Sequence, residues 1–111
     1  MKKVINIRGM DCLPKAEDKF NRWYDEVHIP MLLKCKAIKA VTRLKRIGND
    51  PNYPKYLAVY EYDSQQDYET YSEGPELAAA REEMNASWPN NKGLDFKWRA
   101  QYEVIKSWEN K

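Results

Sequence analysis

Histidine is almost missing from this chain: one imidazole, His28, stands among 111 residues. No other side chain has an unperturbed pKa near neutrality, so proton transfer at physiological pH would look to that position first. Cysteine is scarce too. Cys12 and Cys35 form neither a C-x-x-C pair nor part of a Cys/His cluster, so neither a zinc site nor a redox pair is indicated and free thiols are expected. No run approaches the roughly 18 consecutive apolar residues of a membrane span, and no dinucleotide fingerprint or P-loop occurs. No cofactor, metal or membrane contact is therefore expected. Met1-Lys2-Lys3 is basic, but Val4 to Ile7 is interrupted by Asn6 and followed at once by Arg8, a poor secretory leader. The expectation is a cytoplasmic protein. An excess of one charge is also lacking, since 19 basic and 17 acidic residues are interspersed and leave +2. That excludes a nucleic-acid footprint, and Lys39, Arg43 and Lys45 read as a solvated strand face rather than a phosphate track.

What is present is the composition of a globular protein, 42% hydrophobic and 32% charged, with a length that fits a single domain over residues 1–111. Lys3 to Gly9 alternates Ile5 and Ile7 against Val4, Asn6 and Arg8, as a strand with an aliphatic and a more polar face would. Pro14 suits a first helical turn, and Ala16, Phe20, Trp23, Tyr24 and Val27 follow at helical spacing. Pro30 disfavours helical geometry at Ile29, so this helix is expected to stop near Val27 or His28, with one further turn over Met31 to Lys36. Ala37 to Ile47 and Lys55 to Tyr62 read as an antiparallel hairpin around the turn formers from Gly48 to Pro54. Ser64 with Asp67 resembles a capping box for a second helix that pauses at Gly74-Pro75 and runs on through Leu77, Ala80, Arg81, Met84 and Trp88. A last strand, Asp95 to Ser107, sets Phe96, Trp98, Ala100, Tyr102 and Val104 on one parity. The order βαββαβ predicts an α+β, ferredoxin-like fold: a four-stranded antiparallel sheet with two helices on one face.

Two helices cover one sheet face only, yet both parities of these strands carry apolar or aromatic residues. The uncovered face would exceed the few hundred Å² of apolar patch that monomers usually show, which predicts a homodimer with sheets packed face to face.

Trp23-Tyr24 followed by His28-x-Pro30, on the first helix of a βαββαβ chain, resembles the EthD-like branch of the dimeric α/β-barrel superfamily, over essentially the whole chain. The resemblance implies a dimer with a pocket between sheet and helices in each subunit. Relatives of that kind include cofactor-independent monooxygenases, polyketide cyclases, lactone isomerases, haem-degrading enzymes and dye-decolourising peroxidases, so fold alone selects no reaction. Haem-degrading relatives carry a first-strand asparagine, which Asn6 matches, but take their haem-ligating histidine from the second helix. Ser64 to Trp88 contains none.

At α-helical spacing Tyr24 lies four residues and Asp25 three residues before His28, so both are expected beside the imidazole. Asp25 and the helix C-terminus would then hold its proton. In the catalytic reading His28 abstracts a proton from an activated carbon or phenol while a tyrosine or Arg8 stabilises the developing oxyanion; in the plainer one it ends a helix. Trp23 reads as core. If Ile5 and Ile7 pack under the helices, Asn6 and Arg8 face the space between two sheets, where Arg8 needs an intrachain carboxylate or an acidic ligand. Tyr60, Tyr62, Trp98 and Tyr102 could line an aromatic pocket or serve the dimer interface. Arg81 and Trp88 are weaker candidates, and Glu82 and Glu83 read as a solvated face. Two functions fit: a cofactor-independent enzyme acting by proton abstraction on an aromatic, quinonoid or polyketide-like molecule, or a non-catalytic dimeric protein that binds one.

Overall fold

A computed structural model describes residues 2–111. Strands β1 (Val4–Cys12), β2 (Ala40–Lys45), β3 (Tyr56–Tyr62) and β4 (Leu94–Glu103) form one antiparallel sheet in the order β2-β3-β1-β4. Helical segments connect β1 to β2 and β3 to β4: α1 (Glu17–Trp23), a turn over Tyr24–His28 and α2 (Ile29–Leu32) in the first, α3 (Gln65–Ser72) and α4 (Pro75–Ser87) in the second. This is the expected α+β, ferredoxin-like sheet. Ser64 caps α3, its Oγ accepting from the Asp67 amide at 3.1 Å, and the break before Pro75 falls where Gly74 had placed it.

The face that each strand turns to the helices follows from β3, where Tyr56, Ala58, Tyr60 and Tyr62 are buried and the residues between them only half so. Register carries this across the sheet. Asn6 lies opposite Tyr60 and Arg8 opposite Ala58, so both point under the helices. The expected parity of β1 is thus reversed: Ile5 and Ile7 lie on the open face. Alternation identified the two faces, but only the register with β3 shows which one the helices cover.

A second correction concerns β4. Gly9 pairs with Trp98 and Met10 with Phe96, so a bulge skips Lys97. One extra residue in a strand shifts every side chain beyond it to the other face. Phe96 packs on the core, whereas Trp98, Ala100 and Tyr102 join Ile5, Ile7, Leu57 and Val59 on the open face. Trp98 and Tyr102 are 44% and 56% exposed there. The strand ends at Glu103 instead of Ser107, leaving Ile105 and Trp108 exposed beyond it.

The third difference lies at Pro30. The helix does not stop there, because Ile29 keeps helical angles (φ −61°, ψ −46°) and its amide bonds the Tyr24 carbonyl five residues back. Proline cannot donate to the carbonyl four residues behind it and its ring clashes with that group. A π-turn over Tyr24–His28 gives the proline room, and α2 continues to Leu32.

Gly9 sits at a crowded point of the open face: a Cβ there would lie 2.8 Å from Pro54 Cγ and 3.1 Å from the Trp98 indole. Gly9→Val is expected to destabilise the fold by about 1–3 kcal/mol through overpacking, read as a lower urea midpoint with an unchanged slope.

Candidate functional site

The π-turn also decides where His28 points. On an α-helix, residues three and four apart are neighbours; the wider turn instead brings together residues five apart. Trp23 and His28 stack with ring centroids 4.6 Å apart and planes 24° from parallel, and Tyr24 meets the imidazole edge-on at 5.0 Å. Trp23 is core, as expected, but its indole Nε1 donates to Glu83 Oε1 on α4 at 2.7 Å. Glu83 also accepts from Ser87. Glu83 is therefore not part of a solvated face but a tie between α1 and α4.

Asp25 is turned away from this cluster. It is exposed and takes a 2.7 Å bond from Arg43 Nη1 on β2, while Arg43 Nη2 donates to Asn21 at 2.9 Å. The expectation that Asp25 orients the imidazole is not met, because it assumed α-helical spacing. Arg43, expected in solvent, is held by this pair and lies 4.7 Å over the Tyr24 ring.

His28 is 5% exposed, and its Nδ1 is buried without a hydrogen-bond partner. Burial, reinforced by the Arg8 guanidinium and only partly opposed by Glu83, pushes its pKa down to about 4. That reverses the expectation of a histidine that holds its proton well. No helix terminus assists it either, since the helix runs on.

His28 forms one wall of a cavity of about 250 Å³ between the sheet and the helices. The sheet contributes Asn6 and Arg8 from β1, Tyr60 from β3 and Arg99 from β4; α3 supplies Tyr68, Tyr71 and Ser72, and α4 supplies Leu77, Arg81 and Met84. Four of the expected residues thus meet in one place, Asn6, Arg8, His28 and Tyr60, joined by the weaker candidate Arg81. Tyr24 stands directly behind, its hydroxyl 2.6 Å from that of Tyr60. Burial raises the pKa of both phenols, so Tyr60 remains protonated and can donate into the cavity while accepting from Tyr24. Tyr62 is fully buried against Tyr68 and Tyr71, outside the lining, and its hydroxyl lacks a partner. Trp98 lies in a separate shallow cleft at the β4 edge, with Arg8, Phe96 and Arg99. Arg99 was missed because the bulge that turns it to the helix side leaves no mark in the sequence; Tyr68 and Tyr71 were missed as well, although their spacing of three on one helix face was a signal that could have found them. Among the described residues no His/Cys/Asp/Glu group could hold a metal ion, and no helix is long and apolar enough to cross a membrane.

The model of a family described as a domain of unknown function, DUF4286, matches residues 6–105. The chain belongs to that family. No curated protein matches it. Among solved structures, an EthD family protein of Bacillus halodurans shares the fold of this DUF4286 chain with TM-score 0.67 and 14% identity, over 95% of this chain and 100% of the other. A haem-degrader of Mycobacterium tuberculosis, MhuD, with two haems bound in its active site, aligns with TM-score 0.66 and 16% identity over 96% and 99%. A dimeric ferredoxin-like protein of unknown function from Bacteroides fragilis aligns with TM-score 0.59 and 18% identity over 93% and 95%. The EthD-like fold that Trp23-Tyr24, His28-x-Pro30 and the βαββαβ order pointed to is the fold of this chain.

The depressed pKa of His28 has a consequence for stability. Between about pH 4 and 6.5 the unfolded chain carries the imidazole proton and the folded one does not, so acid favours unfolding. The contribution is complete above pH 6.5, declines as pH falls toward 4, and amounts to something on the order of 3 kcal/mol. His28→Asn is expected to flatten this part of the stability-versus-pH curve, measured by chemical denaturation at stepped pH.

Proposed function

We propose that this chain is a small cofactor-independent enzyme in which His28 accepts a proton from a compact, flat molecule of aromatic, quinonoid or polyketide-like type. The observation that carries the reading is the convergence of a buried, neutral imidazole with Arg8, Asn6 and the Tyr24–Tyr60 hydroxyl pair on one cavity. A neutral imidazole is the form that can take a proton. Tyr60 and Arg8 stand ready for the oxygen on which charge develops when a carbon or phenol beside it is deprotonated. At about 250 Å³ the cavity lies just below the roughly 300–1,000 Å³ typical of small-molecule sites, which favours one or two rings over a larger ligand. Binding without turnover is the second reading. Its support is the same pKa of about 4, which makes the empty-pocket imidazole a weak base.

The working unit is proposed to be a homodimer. The open face gathers Ile5, Ile7, Leu57, Val59, Ala100, Trp98 and Tyr102 without a helix to cover it, and the Bacteroides fragilis neighbour is a dimer. A cytoplasmic site of action accords with the two unpaired thiols.

Deuterium exchange separates the two functional readings. Wild-type protein is incubated in D₂O with a panel of hydroxyquinones, phenols and β-diketones, and mass spectrometry follows exchange of the activated C–H. The wild type is expected to accelerate exchange of at least one member, and His28→Asn to slow it by about 100-fold or more while still binding that compound. Equal rates for the two proteins across the panel would leave binding alone. Sedimentation is expected to give about 26 kDa for both, twice the 13.2 kDa chain.

A further inference from the structure

The cavity that holds His28 is also ringed by guanidinium groups: Arg8 from β1, Arg81 from α4 and Arg99 from β4. No acidic side chain lines it. Among the described residues none of these three arginines lies within 4.0 Å of a carboxylate, and none donates a hydrogen bond to a protein acceptor. Arg8, half-buried, has only the face of Phe96, 4.3 Å from its guanidinium carbon. Elsewhere on the sheet the arginines are provided for. Arg43 holds Asp25 and Asn21, and Arg46 donates to the carbonyls of Gly48 and Tyr53. Three like charges gathered round one small cavity repel each other, and a half-buried guanidinium with unused donors costs free energy until an anion meets it.

The other walls are of a different character. Tyr60, Tyr71, Leu77 and Met84 present ring and aliphatic surface, to which an arene or short apolar body would fit. A planar fork of donors beside an aromatic wall matches a carboxylate joined to a ring, because guanidinium and carboxylate pair through two parallel hydrogen bonds.

We propose that this pocket takes an aromatic carboxylate, its anionic group seated on Arg8 with Arg81 and Arg99 at the rim and its ring against the tyrosine and methionine wall. This rests on the reading of the cavity as a small-molecule site, and it names the class of molecule. It also gives the imidazole a reason to become a better base. The charged groups facing His28 are Arg8 from β1, Arg99 from β4, and Arg81 and Glu83 from α4; the phenols of Tyr60 and Tyr71 stay protonated. A carboxylate on Arg8 offsets the repulsion that keeps a proton off His28, so the ligand itself raises the basicity of the group beside it.

Calorimetry with three probes and NMR of the single histidine test the proposal. Phthalate and benzoate are expected to bind, and the neutral analogue benzamide at least about tenfold more weakly. Arg8→Ala, Arg81→Ala and Arg99→Ala are each expected to weaken phthalate about tenfold; Arg81 and Arg99 are exposed, so the last two variants keep the fold even if the first does not. The His28 ring resonance is expected to titrate at higher pH with saturating phthalate than without it. Benzamide binding as tightly as benzoate, inorganic phosphate binding as tightly as phthalate, or unchanged phthalate affinity in both Arg81→Ala and Arg99→Ala would overturn the proposal. Carboxylate binding without any His28-dependent deuterium exchange would leave this inference standing and remove the role of base; exchange on neutral quinones with no preference for carboxylates would do the reverse.

Discussion

Pro30 withholds one amide from the first helix and crowds the carbonyl four residues behind it, and the chain answers with a single widened turn. The cavity wall nearest the helices depends on that turn. It rotates His28 off the position that α-helical spacing would give it, lays the imidazole on Trp23, and sends Asp25 outward to Arg43. Trp23 in turn is fixed by Glu83 across the helix layer, so the orientation of the imidazole is set by packing on one side and a charged hydrogen bond one residue removed. π-turns are frequent at functional sites, and here the effect is mechanical: the extra residue re-aims one side chain without breaking the helix.

The sheet makes the complementary adjustment. A bulge opposite Gly9 and Met10 lets β4 present Phe96 to the core and, two residues later, Trp98 to the open face. The same skip places Arg99 beside Arg8 on the helix side. Without it Trp98 would point under the helices and Arg99 away from them, so the polar rim of the cavity and the apolar continuity of the open face have one origin. Two local irregularities, one in a helix and one in a strand, thus assemble the site on an otherwise regular fold.

That explains which features were legible in the residues. Alternation in Lys55–Tyr62, helical spacing in Ala16–Val27 and Leu77–Trp88, and the cap at Ser64 all report helices and strands that formed where they were placed, except that the first helix widens at Tyr24–His28 and runs on to Leu32. His28, Tyr60, Asn6 and Arg8 were identifiable because rare or polar residues stood in apolar surroundings. Asp25, Trp98 and Glu83 were misplaced, and Arg99 was missed, because a π-turn, a bulge and a tertiary hydrogen bond leave the local pattern unchanged while altering where a side chain ends up. The face that Ile5 and Ile7 occupy belongs to the same class, since a strand with two partly apolar parities does not say which one the helices choose.

Electrostatics connects these irregularities to chemistry. Cations around a neutral imidazole lower its affinity for a proton, but they lower the acidity barrier of a bound enol or phenol as well, because they stabilise the oxyanion left behind. The balance between the two depends on where the negative charge sits. In the proposed reaction, charge developing on an oxygen near Arg8 would be stabilised during the transfer, and charge already present on a ligand would restore the proton affinity of His28 before it. With Tyr60 and Tyr71 held protonated by burial, the cavity contains donors and positive charge but only one group able to accept a proton under neutral conditions. On the proposed reading, such an arrangement would discriminate by the charge of what enters it, and its single base would gain strength with the charged guest in place.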